Sequence, residues 1–225
     1  MLFNSWDFRG AEAEALRAIQ LNPNSSEPHH LYAYILTALN RPDEAIKEEK
    51  RSMEQDPFAR SWALGYQYVF ERQYDAAIAE FRARGGGGKQ DPAFQFGLAW
   101  AYEEKGMYPE SALELEKAFH ISGDERSAEE ARLAFKRDGM RGIREWSLKQ
   151  NLEKIRAKKY VSALDLATDY ARLGRKQETL AALEKAYEER SPWLSLLQKS
   201  RGFDFVHSDE RYRALVKRIG LPPAY

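Results

Sequence analysis

The sequence contains no cysteine, no excess of charge of either sign and no long apolar run. Without cysteine, disulfides, thiolate metal sites and cysteine nucleophiles are excluded. Lysine plus arginine and aspartate plus glutamate both number 35. This balance disfavours nucleic acid and membranes as direct partners, because surfaces that hold either usually carry a basic excess. No apolar run approaches the ~18 residues that a transmembrane helix needs.

The N-terminal residues MLFNSWDFRG lack the basic region and apolar stretch of a secretory signal. We therefore expect a cytoplasmic protein. Hydrophobic residues make up 43% of the chain and charged residues 31%. Such a composition is typical of a packed protein rather than a disordered one.

Motifs for catalysis, metal binding and cofactor binding are missing from the sequence. His29 and His30 are adjacent, and neighbouring residues of a helix point about 100° apart, so the two do not chelate one ion together. Neither H-E-x-x-H nor G-x-S-x-G occurs. Gly88-Lys89 is followed by Gln90 rather than Ser or Thr, so this segment is not a phosphate-binding loop. We expect no enzyme activity, no metal and no cofactor.

A repeating unit becomes visible from Pro23 and Pro57, which lie 34 residues apart and enclose two amphipathic helical segments. Numbered within such a unit, position 8 is occupied by Ala33, Gly65, Ala99 and Ala167 in the four clear units. Position 20 is occupied by Ala45, Ala77, Ser111 and Thr179, and position 27 by Ser52, Arg84, Ala118 and Ala186. Small residues at these positions allow close helix packing, because only short side chains let two helix axes approach.

This pattern resembles the tetratricopeptide repeat, a helix–turn–helix unit of 34 residues. The resemblance implies an all-α, right-handed superhelix of antiparallel helix pairs with a C-terminal capping helix, forming one domain over residues 1–225. The expected units are a partial repeat 1–25, repeats 26–57, 58–91, 92–125, 126–159 and 160–193, and a cap 194–225.

Three stretches depart from the pattern. Repeat 126–159 is divergent, with Leu133, Glu145 and Leu152 at the small positions. Residues 1–25 contain only a second helix, so we expect the chain to begin within a repeat, as a fragment of a longer protein would. In the cap, Ser208 is the expected N-cap of a last helix. The apolar stripe of that helix consists of Tyr212, Leu215, Val216 and Ile219.

Four consecutive glycines, Gly85–Gly88, replace the last turn of a second helix without lengthening the repeat. Each glycine in a helix interior costs roughly 1 kcal/mol relative to alanine. We expect the helix to end near Arg84 and a loose connector to follow. A naturally loosened turn and an altered stretch of sequence both remain open as the origin of the run.

The resemblance also implies a binding surface, because the first helices of such repeats line a concave groove. Transferred position by position, the groove residues are His30, Tyr34, Trp62, Tyr66, Phe70, Phe96, Trp100, Glu103, Arg137 and Arg172. In the alternative interpretation, these aromatic residues pack against each other or against neighbouring helices. Excess exposed aromatic residues usually mark an interaction surface.

The expected function is therefore recognition of a protein or peptide in an aromatic-rich groove. A narrower resemblance, strongest in FDFVHSDERYRALVKRIGLP, is to the C-terminal repeat regions of bacterial multidomain regulators with winged-helix or Ser/Thr kinase domains. The main alternative is a homodimer formed through an exposed apolar N-terminal face that includes Leu2, Phe3 and Trp6. An enzyme or small-ligand domain ranks third.

Overall fold

The computed structural model describes residues 5–85 and 91–222, and within these ranges the regular structure is helical throughout. The α-helices are α1 (Phe8–Leu21), α2 (Ser26–Ala38), α3 (Pro42–Gln55), α4 (Ala63–Phe70), α5 (Tyr74–Gly85), α6 (Pro92–Glu104), α7 (Tyr108–Ile121), α8 (Glu125–Arg156), α9 (Ala163–Arg172), α10 (Lys176–Glu188) and α11 (Glu210–Ile219). Two 3-10 helices, Pro192–Lys199 and Arg201–Val206, lie between α10 and α11. The expected all-α class is confirmed.

The chain divides into two compact units. Unit 1 consists of Met1–Asp56 and Ser147–Tyr225, and unit 2 consists of Pro57–Trp146. Helices that follow each other along the chain pack as pairs: α2 with α3, α4 with α5, α6 with α7 and α9 with α10. The repeat boundaries and the single superhelix over residues 1–225 stay predictions.

The small positions of the repeat lie in the helix-pair interfaces. Ala33, Ala45, Ala77, Ala118, Ala167, Thr179 and Ala186 have no exposed surface. Side chains of this size let the paired helices approach closely, as the sequence pattern predicts. Arg84 is the exception among these positions, and it is exposed close to the end of α5.

The core of unit 2 is built around one phenylalanine. Phe81 of α5 is fully buried and lies against Gly65 of α4 and Gly97 of α6. A Cβ atom added to Gly65 would lie 2.6 Å from Cδ1 of Phe81, and one added to Gly97 would lie 2.6 Å from Cε1. The ring therefore occupies the space that these two glycines leave open.

Unit 1 brings the two ends of the chain together. Phe8 of α1 and Ala38 of α2 belong to the same buried cluster as Leu183 of α10 and Leu215 of α11. Most of the cluster comes from residues 163–221, so residues of the first helices complete a core that the C-terminal part mainly forms.

The expectation of an exposed apolar N-terminal face is wrong for the residues that the structure describes there. The ring of Trp6 stacks on Tyr187 with centroids 4.6 Å apart, and Phe8 is only 6% exposed. The other two residues assigned to this face, Leu2 and Phe3, lie outside the described residues. The physical reason is that apolar residues of the C-terminal part of the same chain cover this side of α1.

The divergent repeat forms α8, which is interrupted at Asp138 and Gly139. Gly139 has a φ of 56°, a conformation that glycine adopts at little cost. The two helical segments expected from the sequence are therefore present, and they join without a separate loop. Leu133, at a position that is small in the other repeats, is 49% exposed.

The glycine run begins at the end of α5. This helix ends at Gly85, one residue beyond the predicted end, while Gly86–Gly88 and the connector expected there lie outside the described residues.

The last helix, α11, is capped by Asp209 rather than by the predicted Ser208, because the Asp209 side chain accepts a hydrogen bond from the backbone N–H of Arg211 at 2.9 Å. The predicted apolar stripe of α11 is buried along its whole length.

Candidate binding surface

Four of the predicted groove residues form a continuous group of rings in unit 2. The ring centroid of Tyr66 lies 5.6 Å from that of Trp62 and 6.2 Å from that of Trp100. Phe70 extends the group, with its centroid 5.6 Å from Trp100. Trp62, Tyr66 and Phe70 follow at intervals of four residues, so they share one face of the segment that becomes α4. We call these four residues the aromatic surface.

Tyr66 anchors this surface to the next repeat. Its hydroxyl donates a hydrogen bond to the backbone carbonyl of Ala93 at 2.9 Å, which ties α4 to the first turn of α6. Burial, and then the negative charge of Asp91, raises the pKa of Tyr66 to about 12. The hydroxyl therefore keeps its proton at neutral pH and remains a hydrogen-bond donor.

The indole of Trp100 is held at both its edge and its sides. Its Nε1 donates a hydrogen bond to Oε1 of Glu104 at 3.0 Å, one helical turn further along α6. The rings of Tyr66 and Phe70 lie beside it. Trp62, Tyr66 and Trp100 are half-buried, whereas Phe70 is buried. Three of the four rings thus combine fixed positions with partial access to solvent.

A second group of rings also lies in unit 2. Phe96 of α6 packs on Phe119 of α7 at 5.6 Å, and Phe119 packs on Trp146 of α8 at 5.7 Å. The indole Nε1 of Trp146 donates a hydrogen bond to Oε2 of Glu130 at 2.9 Å. Of these rings only Phe96 was predicted from the sequence. The sequence did not predict Trp146, because this residue lies in the divergent repeat, where its position within the repeat does not indicate which way the side chain points.

The residues predicted for the first repeat do not form an open groove. His30 is only 6% exposed, and its Nδ1 lies 2.9 Å from Oε2 of Glu49. Assigning His30 to an accessible binding surface is therefore wrong, because a buried carboxylate of α3 occupies its ring nitrogen. Tyr34 is half-buried, with its ring 5.0 Å from His30 and 5.9 Å from Trp193 of the 3-10 helix.

The charged residues of the prediction have separate environments. Glu103 of α6 is paired with Arg144 of α8, whose Nε lies 3.0 Å from Oε1 of the glutamate. Arg137 is exposed near the end of the first segment of α8. Arg172 is half-buried at the end of α9, where its positive charge acts to lower the pKa of Asp169. Arg172 belongs to unit 1, and the other two residues belong to unit 2.

Over residues 5–85 and 91–222, no group of three or more His, Asp or Glu side chains is arranged to hold a metal ion. Within the same ranges, none of the helices combines the length and the apolar character that crossing a bilayer requires.

Part of the chain matches a known protein family. Residues 14–47 match the family model described as tetratricopeptide repeat, and this segment runs from within α1 to within α3. No curated protein matches the chain. Tetratricopeptide repeats generally mediate protein–protein interactions and are typically scaffolds without catalytic activity. In residues 14–47 the chain is thus similar to the tetratricopeptide repeat, and its all-α fold of packed helix pairs agrees with that similarity.

Proposed function

We propose that this protein binds a peptide or a helical segment of another protein on the aromatic surface of unit 2. The observation that carries the proposal is the continuous contact among the rings of Trp62, Tyr66, Phe70 and Trp100, three of which are half-buried. Residues of this kind, rigid and partly accessible, contribute most of the binding energy in many protein interfaces.

The core beneath the surface supports this role. Tyr66 rests on the fully buried Phe81, with centroids 5.2 Å apart, and Phe81 packs on Phe94 at 6.5 Å. Because the rings are held from below, a partner would lose little side-chain entropy in this protein on binding. We expect binding to bury the accessible parts of the two tryptophans.

The experiment is selection of randomised 12-residue peptides, displayed on phage, against the purified chain. Trp62→Ala and Trp100→Ala are each expected to weaken capture of the selected peptides by about thirtyfold, which corresponds to the loss of a strong interface residue. Leu113→Ala is the matched control, because Leu113 is 50% exposed on α7 and is not part of the aromatic surface.

Circular dichroism melting curves must show that both tryptophan variants fold, since each ring also packs on its neighbours. Folded Trp62→Ala and Trp100→Ala variants that capture the selected peptides as well as the Leu113→Ala control does would contradict the proposal. An aromatic surface that only completes the core of unit 2 would give this result.

The broader context of this function is also a proposal. The resemblance of the C-terminal segment to bacterial multidomain regulators supports a role as a docking module within a larger regulatory protein. Self-association through the N-terminal face is the second hypothesis, and the structure gives it no specific support there, because the C-terminal part of the same chain contacts Trp6 and Phe8.

A further inference from the structure

The C-terminal end of α8, in unit 1, carries basic residues without acidic partners. The helix ends at Arg156, and Lys158 and Lys159 follow in the turn after it. All three residues are exposed. Over the part of the chain that the structure describes, no Asp or Glu carboxylate forms an ion pair with any of the three. Uncompensated positive charge is therefore concentrated here, in a chain whose formal net charge is zero.

Two other lysines near the same helix end have acidic groups close by. Lys149 Nζ lies 3.7 Å from Oε1 of Glu153. The positive charge of Lys154 acts to lower the pKa values of Asp165 and Asp169, so it is partly balanced by the network between α8 and α9. The surplus of positive charge thus begins only after Lys154.

Backbone hydrogen bonds close the end of α8 without help from the basic side chains. The N–H of Lys158 donates to the carbonyl of Ile155, and the N–H of Lys159 donates to the carbonyl of Lys154, both at 2.9 Å. Lys158 has a φ of 57°, a conformation for which glycine is the usual residue after a helix. The turn after α9 has such a glycine, Gly174. The lysine side chains are therefore not needed as helix caps, and the closed turn fixes their backbone.

Apolar groups flank these charges on both sides in the sequence. Ile155 is 41% exposed and Tyr160 is 80% exposed. The Tyr160 hydroxyl lies 3.5 Å from Oε2 of Glu189 at the end of α10, while most of the side chain faces solvent. We call Arg156, Lys158 and Lys159, together with Ile155 and Tyr160, the basic surface. It combines positive charge with exposed apolar area, as protein interfaces often do.

We propose that the basic surface binds a short acidic segment of a partner protein, in which aspartate or glutamate residues are interspersed with large apolar residues. Charge complementarity argues for the carboxylates, and the exposed parts of Ile155 and Tyr160 argue for the apolar residues. This surface belongs to unit 1 and contains no residue of the aromatic surface, so the inference goes beyond the proposed function.

The size of the basic surface favours a protein segment over other anionic partners. Proteins that hold nucleic acid commonly neutralise about six to ten phosphates. Clusters that attach a protein to anionic lipid contain about four to eight basic residues. The three unpaired cations at the end of α8 match the carboxylates of a short peptide instead.

The test measures fluorescence anisotropy of a fluorescein-labelled 12-residue peptide, rich in glutamate with interspersed leucine and phenylalanine, as the full chain is added. The triple variant Arg156→Gln/Lys158→Gln/Lys159→Gln should bind this peptide at least about tenfold more weakly than the unmodified chain does. Added salt should weaken binding to the unmodified chain, because exposed charges are screened. A peptide with glutamine in place of every glutamate should bind at least about tenfold more weakly.

The matched control is Arg17→Gln/Lys47→Gln/Lys50→Gln, which removes the same charge from exposed residues of α1 and α3 and should leave peptide binding nearly unchanged. Circular dichroism checks that both triple variants fold. Equal losses in the two triple variants would show a response to net charge alone and would overturn the inference. No binding of the acidic peptide to the unmodified chain would also overturn it.

Two further outcomes would assign the peptide or the surface elsewhere. Binding that is lost in Trp62→Ala but kept in the Arg156 triple variant would place the peptide on the aromatic surface, which overturns this inference and leaves the proposed function standing. Tighter binding of single-stranded DNA or of phosphatidylserine vesicles than of the peptide, lost in the Arg156 triple variant, would overturn the choice of a protein partner. Failure of the proposed function would leave this inference intact, because the two surfaces share no residue.

Discussion

At the scale of single residues, the packing around Phe81 explains two glycines that lie within helices. Glycine in a helix interior is unfavourable by roughly 1 kcal/mol relative to alanine. Gly65 and Gly97 nevertheless lie in α4 and α6, because the Phe81 ring occupies the positions that their Cβ atoms would take. A large ring between two glycines thus replaces side chains that the helices themselves would favour.

Gly97→Ala is therefore expected to destabilise the protein by about 1–3 kcal/mol, as overpacking of a core does. Urea unfolding followed by circular dichroism measures the loss. Phe81→Leu, which makes room at the contact, should make the added methyl group less costly, so the double variant should lose less than the sum of the two single losses. Strict additivity of the two losses would show that Gly97 and Phe81 do not contact each other in this way.

The contacts of His29 in α2 also belong to this scale. The Nδ1 of His29 lies 2.7 Å from Oε2 of Glu48, and its Nε2 lies 3.2 Å from the carbonyl oxygen of Pro23. Glu48 also accepts a hydrogen bond from Arg51 at 2.6 Å. Both ring nitrogens of His29 therefore lie next to oxygen atoms of the protein, and the side chain ties α2 to α3.

At the scale of helices, a buried polar network joins α8 to α9. The carboxylate of Asp169 accepts hydrogen bonds from Ser147 Oγ at 2.8 Å and from Asn151 Nδ2 at 2.7 Å. Burial raises the pKa of Asp169, and the two hydrogen bonds act in the opposite direction. Burial, and then the charge of Asp169, also raises the pKa of nearby Asp165. The net direction means that the folded chain holds these protons more tightly than the unfolded chain does.

This direction fixes the expected pH dependence of stability. Between the unfolded-state pKa of about 3.9 and the raised folded-state pKa, the folded protein binds more protons, so the free energy of unfolding falls as the pH rises through that window. Asp169→Asn removes one titrating group and the charge that acts on Asp165. Urea unfolding from pH 3.5 to 7 should show the unmodified chain losing stability relative to the variant as the pH increases.

Asp43→Asn serves as the control for this comparison, since Asp43 is exposed in the first turn of α3 and takes no part in the network. A difference between the unmodified chain and Asp169→Asn that is constant with pH, or that changes in the opposite sense, would contradict the raised pKa of Asp169. In either case the hydrogen bonds from Ser147 and Asn151 would have to lower the pKa of Asp169 by at least as much as burial raises it.

At the scale of the molecule, unit 1 is assembled from segments at opposite ends of the sequence. Lys199 donates a hydrogen bond to Oδ1 of Asn40 at 3.0 Å, and the guanidinium carbon of Arg218 lies 4.0 Å from the ring centroid of Tyr187, on which Trp6 stacks. Together with the shared core around Phe8, these contacts couple the stability of α1 and α2 to that of the C-terminal helices.

Phe8→Ala is therefore expected to weaken both ends of the chain at once. The substitution leaves a cavity in the shared core and should cost about 3–5 kcal/mol. Hydrogen exchange measured by mass spectrometry should become faster in α1 and also in α10 and α11, which follow Phe8 by more than 160 residues in the sequence.

Leu16→Ala is the matched control. Leu16 lies on the same helix and is 40% exposed, so this substitution should change hydrogen exchange little in α10 and α11. If Phe8→Ala accelerated exchange in α1 alone, then the shared core would not couple the two ends. The cooperative unit would in that case be the single repeat, as expected of an open repeat array.

The helical pairs, the small residues between them and the apolar stripe of α11 could all be predicted from the sequence. These features depend on interactions between residues close in the chain, and the helical period and the 34-residue repeat record them directly. The four rings of the aromatic surface were among the predicted residues for the same reason. These four residues belong to the first helices of consecutive repeats, and numbering the residues within each repeat assigns them to corresponding positions.

The tertiary structure alone decided which predicted residues are accessible and what covers them. His30 is buried because Glu49 of α3 pairs with it, Trp146 joins the rings of unit 2 from a repeat that leaves the frame, and the C-terminal part covers Trp6 and Phe8. The outcomes for Trp146, Trp6 and Phe8 depend on an irregular segment or on residues distant in the sequence, whereas the pattern of small and apolar residues specifies each helix pair separately. The burial of His30 depends on a polar contact within one helix pair, which the same pattern does not specify because it concerns only small and apolar positions.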